Sequence, residues 1–236
     1  MADLTQPKIA DRIATTLRRA IVAGELQPGD ALPSERDLAD EYDVNRASIR
    51  EAERRLESWG LVKVRQGSAT RVADLFASAG LDLVPHLFEV GASVEPSILR
   101  DLHELRALLL GWAAERAALQ ADPASIARLD ELARRLAQEA GRPAVLQALD
   151  YDFFQELVAI TGNRILMLFA SFVRRIYESG QDRFAQMYAT GIFDASHHRR
   201  AVEALRAHDP VAAGDAMRAH AETALRTVEP HAKGKR

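Results

Sequence analysis

Residues 32–72, LPSERDLADEYDVNRASIREAERRLESWGLVKVRQGSATRV, decide the fold, because helix, turn and hairpin signals follow one another there in order. Ser34, with Asp37 three residues on, is an N-cap pattern in which the serine hydroxyl satisfies the first free amides of a helix through Leu38 and Ala39. That helix should stop near Asp43, since aspartate tolerates the left-handed conformation better than most residues. Asn45 then caps a second helix from Arg46 to about Ser58. In it Ile49, Ala52 and Leu56 recur at helical spacing and face a core, while Arg46, Ala47, Arg50 and Arg54 lie opposite. After Gly60, the segments 61–64 and 70–72 read as two short strands around a tight loop. Helix, turn, helix and hairpin together spell a winged helix-turn-helix.

The charge of this stretch points to a partner. From Arg46 to Arg71 there are seven Lys/Arg (46, 50, 54, 55, 63, 65, 71) against three Glu (51, 53, 57), a net of +4 in a chain whose total is −3. Basic charge is concentrated where a DNA duplex would lie, and only this local patch, not the whole surface, can attract nucleic acid.

The pattern LxPGxxLPSExxLAxxxxVxRxSxRExxxxLxxxGLVxVxxGxxTxV, running from Leu26 to Val72, resembles the DNA-binding domain of the GntR family of bacterial transcription regulators. The resemblance implies DNA contacts at Arg36 on the first helix, at Asn45, Arg46, Ser48 and Arg50 on the recognition helix, and at Gln66 and Gly67 in the wing. The chemistry agrees. An arginine can bond the N7 and O6 acceptors of guanine, Ser or Asn can reach phosphate, and glycine lets the wing backbone approach the minor groove. Two positions depart from the family pattern. Glu53 stands beside the core stripe where leucine is usual, which implies a stability cost or a pair with a nearby arginine, and Ala69 replaces the second wing glycine.

At 236 residues, with 47% hydrophobic and 28% charged residues, the chain is long enough for two domains with cores of their own. It has no cysteine, which excludes disulfides, a thiol nucleophile and Cys-ligated zinc and fits a cytoplasmic protein. No secretory pattern opens MADLTQPK and no apolar run approaches the ~18 residues of a membrane span. Neither a GxSxG nucleophile elbow nor a complete metal-ligand set is present, so an enzyme is not expected.

The expected architecture is mainly α, a winged domain over 1–74 followed by an antiparallel all-helical bundle over 96–230. A support helix over 8–23 carries Ile9, Ile13, Leu17 and Ile21 on one stripe. Residues 75–95 read as a linker with a short helix around 78–89, and 231–236 as a frayed tail. In the bundle, Ile98, Leu102, Leu105, Leu109 and Trp112 mark the face of a first helix over 96–120. Later helices run from Pro123 to near Gly141 and then over 144–161, 164–189, 194–207 and 210–228, with turn chemistry between them.

The segments LRDLHELRALLLGWAAERA, LDYDFFQELVAITGN and SHHRRAVEALRAHDPVAAGDAMRAH resemble the FCD effector domain of the FadR subfamily. Many of its members hold a metal with an Asp and a His four apart on one helix plus two later histidines. His198 and His220 fill the last two positions, and Tyr151 and Gln155 stand at the first two. Asp150 and Asp152 are each turned about 100° from Tyr151 and do not simply replace it. A divalent metal is therefore only a possible cofactor, on the incomplete pair His198 and His220. The fatty-acid regulator FadR itself reads LDY here and lacks the metal set, which makes a fatty acyl-CoA the leading effector and a small organic acid the alternative. Arg106 is expected to grip the carboxylate or phosphate of either, the alternative being a structural salt bridge to a bundle glutamate, with Tyr151, Gln155, His198 and His220 around the same cavity. The resemblance implies a homodimer on an inverted-repeat, double-stranded operator, one recognition helix per half-site. A constitutive DNA binder with a purely structural bundle is the competing reading.

Overall fold

The computed structural model describes residues 9–64, 68–87, 96–179, 188 and 193–232, in two compact units, residues 1–92 and 93–236. The first unit runs α1 (Ile9–Val22), α2 (Glu35–Glu41), α3 (Arg46–Ser58), β1 (Val62–Lys63), β2 (Arg71–Val72), α4 (Leu75–Ser78), a 3-10 turn at Leu81–Leu83, and α5 (Val84–Leu87). Local chemistry sets its helix boundaries. The amide of Asp37 donates to Ser34 Oγ at 3.2 Å and that of Ser48 to Asn45 Oδ1 at 2.9 Å, which satisfies first-turn donors of α2 and α3. Asp43 adopts the left-handed conformation, φ 51°, between them.

α1 buries Ala10, Ile13, Leu17 and Ile21 in the core that also takes Ile49, Ala52 and Leu56 of α3. Ile9, expected on the same stripe, is the first residue of its helix and stays 47% exposed. A salt bridge from Arg55 to Asp11 joins α3 to α1. β1 and β2 pair antiparallel with Val62 opposite Val72, and the 29–32 segment adds a third edge, where Leu32 N donates to Thr70 O at 2.8 Å. Gly60 is required twice over. Its φ is +72°, and a Cβ there would fall 2.3 Å from Ser78 O, so the end of α4 packs directly on the turn that starts the wing.

Among its described residues the second unit is wholly helical: α6 (Pro96–Gln120), α7 (Pro123–Gln138), α8 (Pro143–Thr161), α9 (Arg164–Ser179), α10 (Ser196–Arg206) and α11 (Pro210–Ala232). Residues 180–187 and 189, expected as the end of the 164–189 helix, and 233–236 of the expected tail lie outside the described residues. α6 differs from its expected face. Leu105 and Trp112 are 41% and 38% exposed, while Leu110, Ala113, Ala114, Ala117 and Ala118 are buried. This alanine seam lets α11 come close. A Cβ on Gly111 would fall 2.6 Å from the Arg218 side chain, and one on Gly214 2.6 Å from that of Glu115. Phe153 and Leu157 of α8 fill the centre of the bundle.

Candidate functional site

The outer face of the first unit carries the residues expected at DNA. Arg36, Arg46 and Arg54 are exposed. Arg50 Nε lies 2.9 and 2.8 Å from the two carboxylate oxygens of Glu35, so α2 holds this guanidinium in place and fixes its direction. Arg36 is 3.8 Å from Asp40, an exposed pair of little energetic weight. Asn45 Oδ1 accepts from both the amide and the hydroxyl of Ser48, at 2.9 and 3.2 Å, which sets the first turn of α3 and with it the Arg46 backbone. Gln66 and Gly67 lie outside the described residues.

Behind this face Glu53 is 5% exposed and accepts a hydrogen bond from Thr70 Oγ1 at 3.2 Å. Its partner is thus a wing hydroxyl, not a paired arginine. Burial raises the Glu53 carboxyl above its ordinary value, and the Thr70 hydrogen bond only partly opposes that.

In the second unit the charged groups turn inward. Asp150 on α8 is 3% exposed. Its Oδ1 lies 2.8 Å from His198 Nε2 of α10 and 2.8 Å from His220 Nε2 of α11. Its Oδ2 accepts from Tyr188 OH at 2.6 Å and from Arg106 Nη2 of α6. Burial alone would raise the Asp150 carboxyl. Charge from His220 and Arg106, with hydrogen bonds from both imidazoles, holds it well below the usual carboxylate range instead. Burial pushes His220 down to about 4, so at neutral pH the countercharge to Asp150 is Arg106.

This geometry corrects the expected ligand register by one residue. Tyr151 OH donates to Ala170 O at 2.7 Å, and Gln155 Oε1 accepts from Arg174 Nη2 at 2.6 Å, so neither meets the histidines. The 100° between successive helical residues aims Asp150, not Tyr151, at His198 and His220. Four residues after Asp150, where the FCD pattern places its other helix ligand, stands Phe154. The sequence alone did not single it out, since α8 carries three acids, Asp150, Asp152 and Glu156, each beside a buried position, and only Asp150 is itself buried.

The donor atoms of Asp150, His198 and His220 all lie within 4.8 Å of one another, and they fit a three-donor divalent site with an open position. His220 Nε2 is 2.8 Å from Asp150 Oδ1 and 3.0 Å from Arg106 Nη2, and one nitrogen cannot donate to the first and accept from the second. His198 Nδ1 has no partner among the described residues, so nothing on its far side fixes the tautomer.

Arg106 and Asp150 also wall a cavity between α6, α8 and α9, completed by Leu102, His103, Leu105, Leu109, Tyr151, Phe154, Phe169, Val173, Ile176 and Tyr177. About 30 Å³ of it can be reached by the centre of a water molecule, room for roughly two waters. Of the expected effector residues, Arg106 and Tyr151 line this cavity, His198 and His220 stand behind Asp150, and Gln155 faces a separate groove with Arg128 and Met167. His103, which the sequence reading passed over, is in the wall. It lies three residues before Arg106, the spacing that puts two side chains on one helix face.

A winged unit with an arginine-bearing second helix, followed by a helical unit with a buried polar cluster beside a cavity, defines a two-domain DNA-binding regulator with an effector domain. The model of "Bacterial regulatory proteins, gntR family" matches residues 9–72 and that of the FCD domain residues 101–223, and the chain belongs to the GntR family with an FCD effector domain. It is 32% identical over 210 residues to the HTH-type transcriptional regulator Mce2R of Mycobacterium tuberculosis, covering 89% of this chain and 87% of that one. It is 31% identical over 172 residues to the Glc operon transcriptional activator of Escherichia coli K12, covering 71% and 66%. A solved structure of Lar, which controls expression of the Listeria monocytogenes agr system, aligns over 97% of this chain and 98% of that one, with TM-score 0.51 and 16% identity, a likeness of fold. Proteins of this family are transcription regulators, not enzymes. No helix among the described residues is long and apolar enough to cross a membrane.

Proposed function

We propose that the chain binds an inverted-repeat operator as a homodimer and that its helical unit senses a compact organic acid. The observation that carries the effector half is Arg106. It is a largely buried guanidinium at the wall of a small, mainly apolar cavity, where its Nη2 is shared between Asp150 and His220. A guanidinium carries five N–H donors in a fixed fork, so it can meet an incoming carboxylate while keeping Asp150. A divalent ion on Asp150, His198 and His220 would supply a Lewis-acidic anchor for the same carboxylate. Phe154, in place of a fourth ligand, makes the adjoining wall apolar.

Free space for roughly two waters favours a ligand of a few heavy atoms over a long-chain acyl-CoA, which would require the bundle to open. The LDY segment, which resembles the fatty-acid regulator pattern, supports the acyl-CoA reading, and the same experiment tests it. In the winged unit Arg46 is proposed to read base edges. Arg50, held by Glu35, and Arg36 are proposed to set register on the backbone, and Asn45 and Ser48 to bring the α3 terminus to phosphate.

Operator affinity of the full chain, read by fluorescence anisotropy against C3–C6 carboxylic acids and palmitoyl-CoA, tests this function. A change in affinity with one or more short acids, lost in Arg106→Met, is the expected result. A response to palmitoyl-CoA alone would replace the effector assignment, and indifference to every metabolite would make the bundle structural.

A further inference from the structure

His103 is the polar group in the cavity wall that the Asp150 network does not explain. It is 3% exposed, yet neither Nδ1 nor Nε2 has a hydrogen-bond partner among the described residues. Its ring faces the same cavity as Arg106, one turn before it on α6. Burying two imidazole nitrogens without partners destabilises a fold, and a native structure that keeps such a group calls for a reason. A histidine retained only for packing would be matched in shape by leucine or phenylalanine without that cost.

We infer that His103 is the specificity-determining residue of the cavity, bonding an uncharged hydroxyl or carbonyl on an effector whose acid group meets Arg106 and whose apolar body lies among Leu102, Leu109, Phe154 and Ile176. This deepens the compact-acid reading and rests on it. Burial and the nearby charge of Arg106 push the His103 imidazole down to about 3, so it is neutral at pH 7 and offers one N–H and one lone pair. A hydroxyl complements both, whereas a plain hydrocarbon leaves both nitrogens dry. A site built to hydrogen-bond a substrate group discriminates against the analogue lacking it more strongly than an apolar pocket discriminates by size.

The test compares two probes with one carbon skeleton, chosen small to suit the cavity, propanoate and 2-hydroxypropanoate, by isothermal calorimetry on the full chain. Wild type should bind the hydroxy acid about tenfold more tightly, the scale of one well-made hydrogen bond. In His103→Leu that ratio should fall to about one with affinity for the plain acid retained, and His103→Gln should restore part of it. His103→Leu should also raise the melting temperature of the unliganded protein by a few degrees, because no dry nitrogen remains. Equal binding of the two acids by wild type, or a ratio that survives in His103→Leu, overturns the assignment of His103 and leaves the compact-acid reading standing. Binding of neither probe to wild type, with operator affinity also unmoved by other short acids, removes that reading and this one together.

Discussion

Glu53 in the winged unit and Asp150 in the helical unit are both buried carboxylates, 5% and 3% exposed, and their surroundings move them in opposite directions. Glu53 has a threonine hydroxyl for company, and burial raises it. Asp150 has two imidazoles, a phenol and a guanidinium around it, and His220, Arg106 and His198 hold it low. The contrast follows where each unit keeps its cations. In the winged unit Arg36, Arg46, Arg50 and Arg54 are exposed, suited to an extended external polyanion. The helical unit instead brings Arg106 inside, where a guanidinium meets a small solute at low dielectric.

The contrast can be broken most directly at Asp150. Asp150→Ala would leave Arg106 buried without its counter-ion and should cost the helical unit about 3–5 kcal/mol in urea denaturation. A loss under 1 kcal/mol would mean that the cluster is not held by charge. Salt sharpens the same difference. Between 50 and 200 mM salt, operator affinity should fall roughly a hundredfold if about four phosphates are contacted, while the stability contribution of Asp150 should hardly change because buried pairs are poorly screened.

Next in size, Arg46→Ala should weaken operator binding by about 1–3 kcal/mol and relax sequence discrimination in a footprint. A footprint like wild type would remove Arg46 from base reading. The smallest effect is expected at Glu53. Its folded-state value lies above the unfolded one, so its contribution to stability is fully present below the ordinary value of 4.5 and is lost as pH rises through the folded value. Glu53→Gln keeps the Thr70 hydrogen bond and should stabilise the winged unit by up to about 1 kcal/mol at pH 7, a gain that shrinks on lowering the pH toward 4.5. Asp150 has the opposite sign. Its contribution is present above its ordinary value of 3.8 and is lost as pH falls through the depressed one. Denaturation series across this range, wild type against each variant, would expose either sign as wrong.

Much of the winged unit was legible because its boundaries are local. Ser34, Asp43, Asn45 and Gly60 each act on backbone within a few residues, and such chemistry is written in the sequence. The partner of Glu53 was not legible, since Thr70 lies seventeen residues away across the hairpin. In the helical unit, helix boundaries were close to those found but faces were not. α6 is covered on more than one side, so its leucines mark no single stripe, and small alanines, which stand out in no hydrophobic pattern, form its tightest contact. The Asp150 cluster was missed by one residue of helical phase. A family pattern laid over LDYDFFQ can slide by one position, and only the convergence of four helices shows which acid points inward.

The seam between α6 and α11 also bears on how such a regulator changes over evolutionary time. Where α6 and α11 meet, a methyl group on Gly111 or Gly214 would fall on the Arg218 or Glu115 side chain, so a substitution there requires those side chains to shift. The opposite side of α6 faces large side chains around a void, including Leu102, Phe154 and Phe169, where exchanges of similar volume are tolerated. One helix therefore couples a close-packed seam to a wall open to exchange, and a lineage could acquire a new inducer by altering the wall without having to refold the domain.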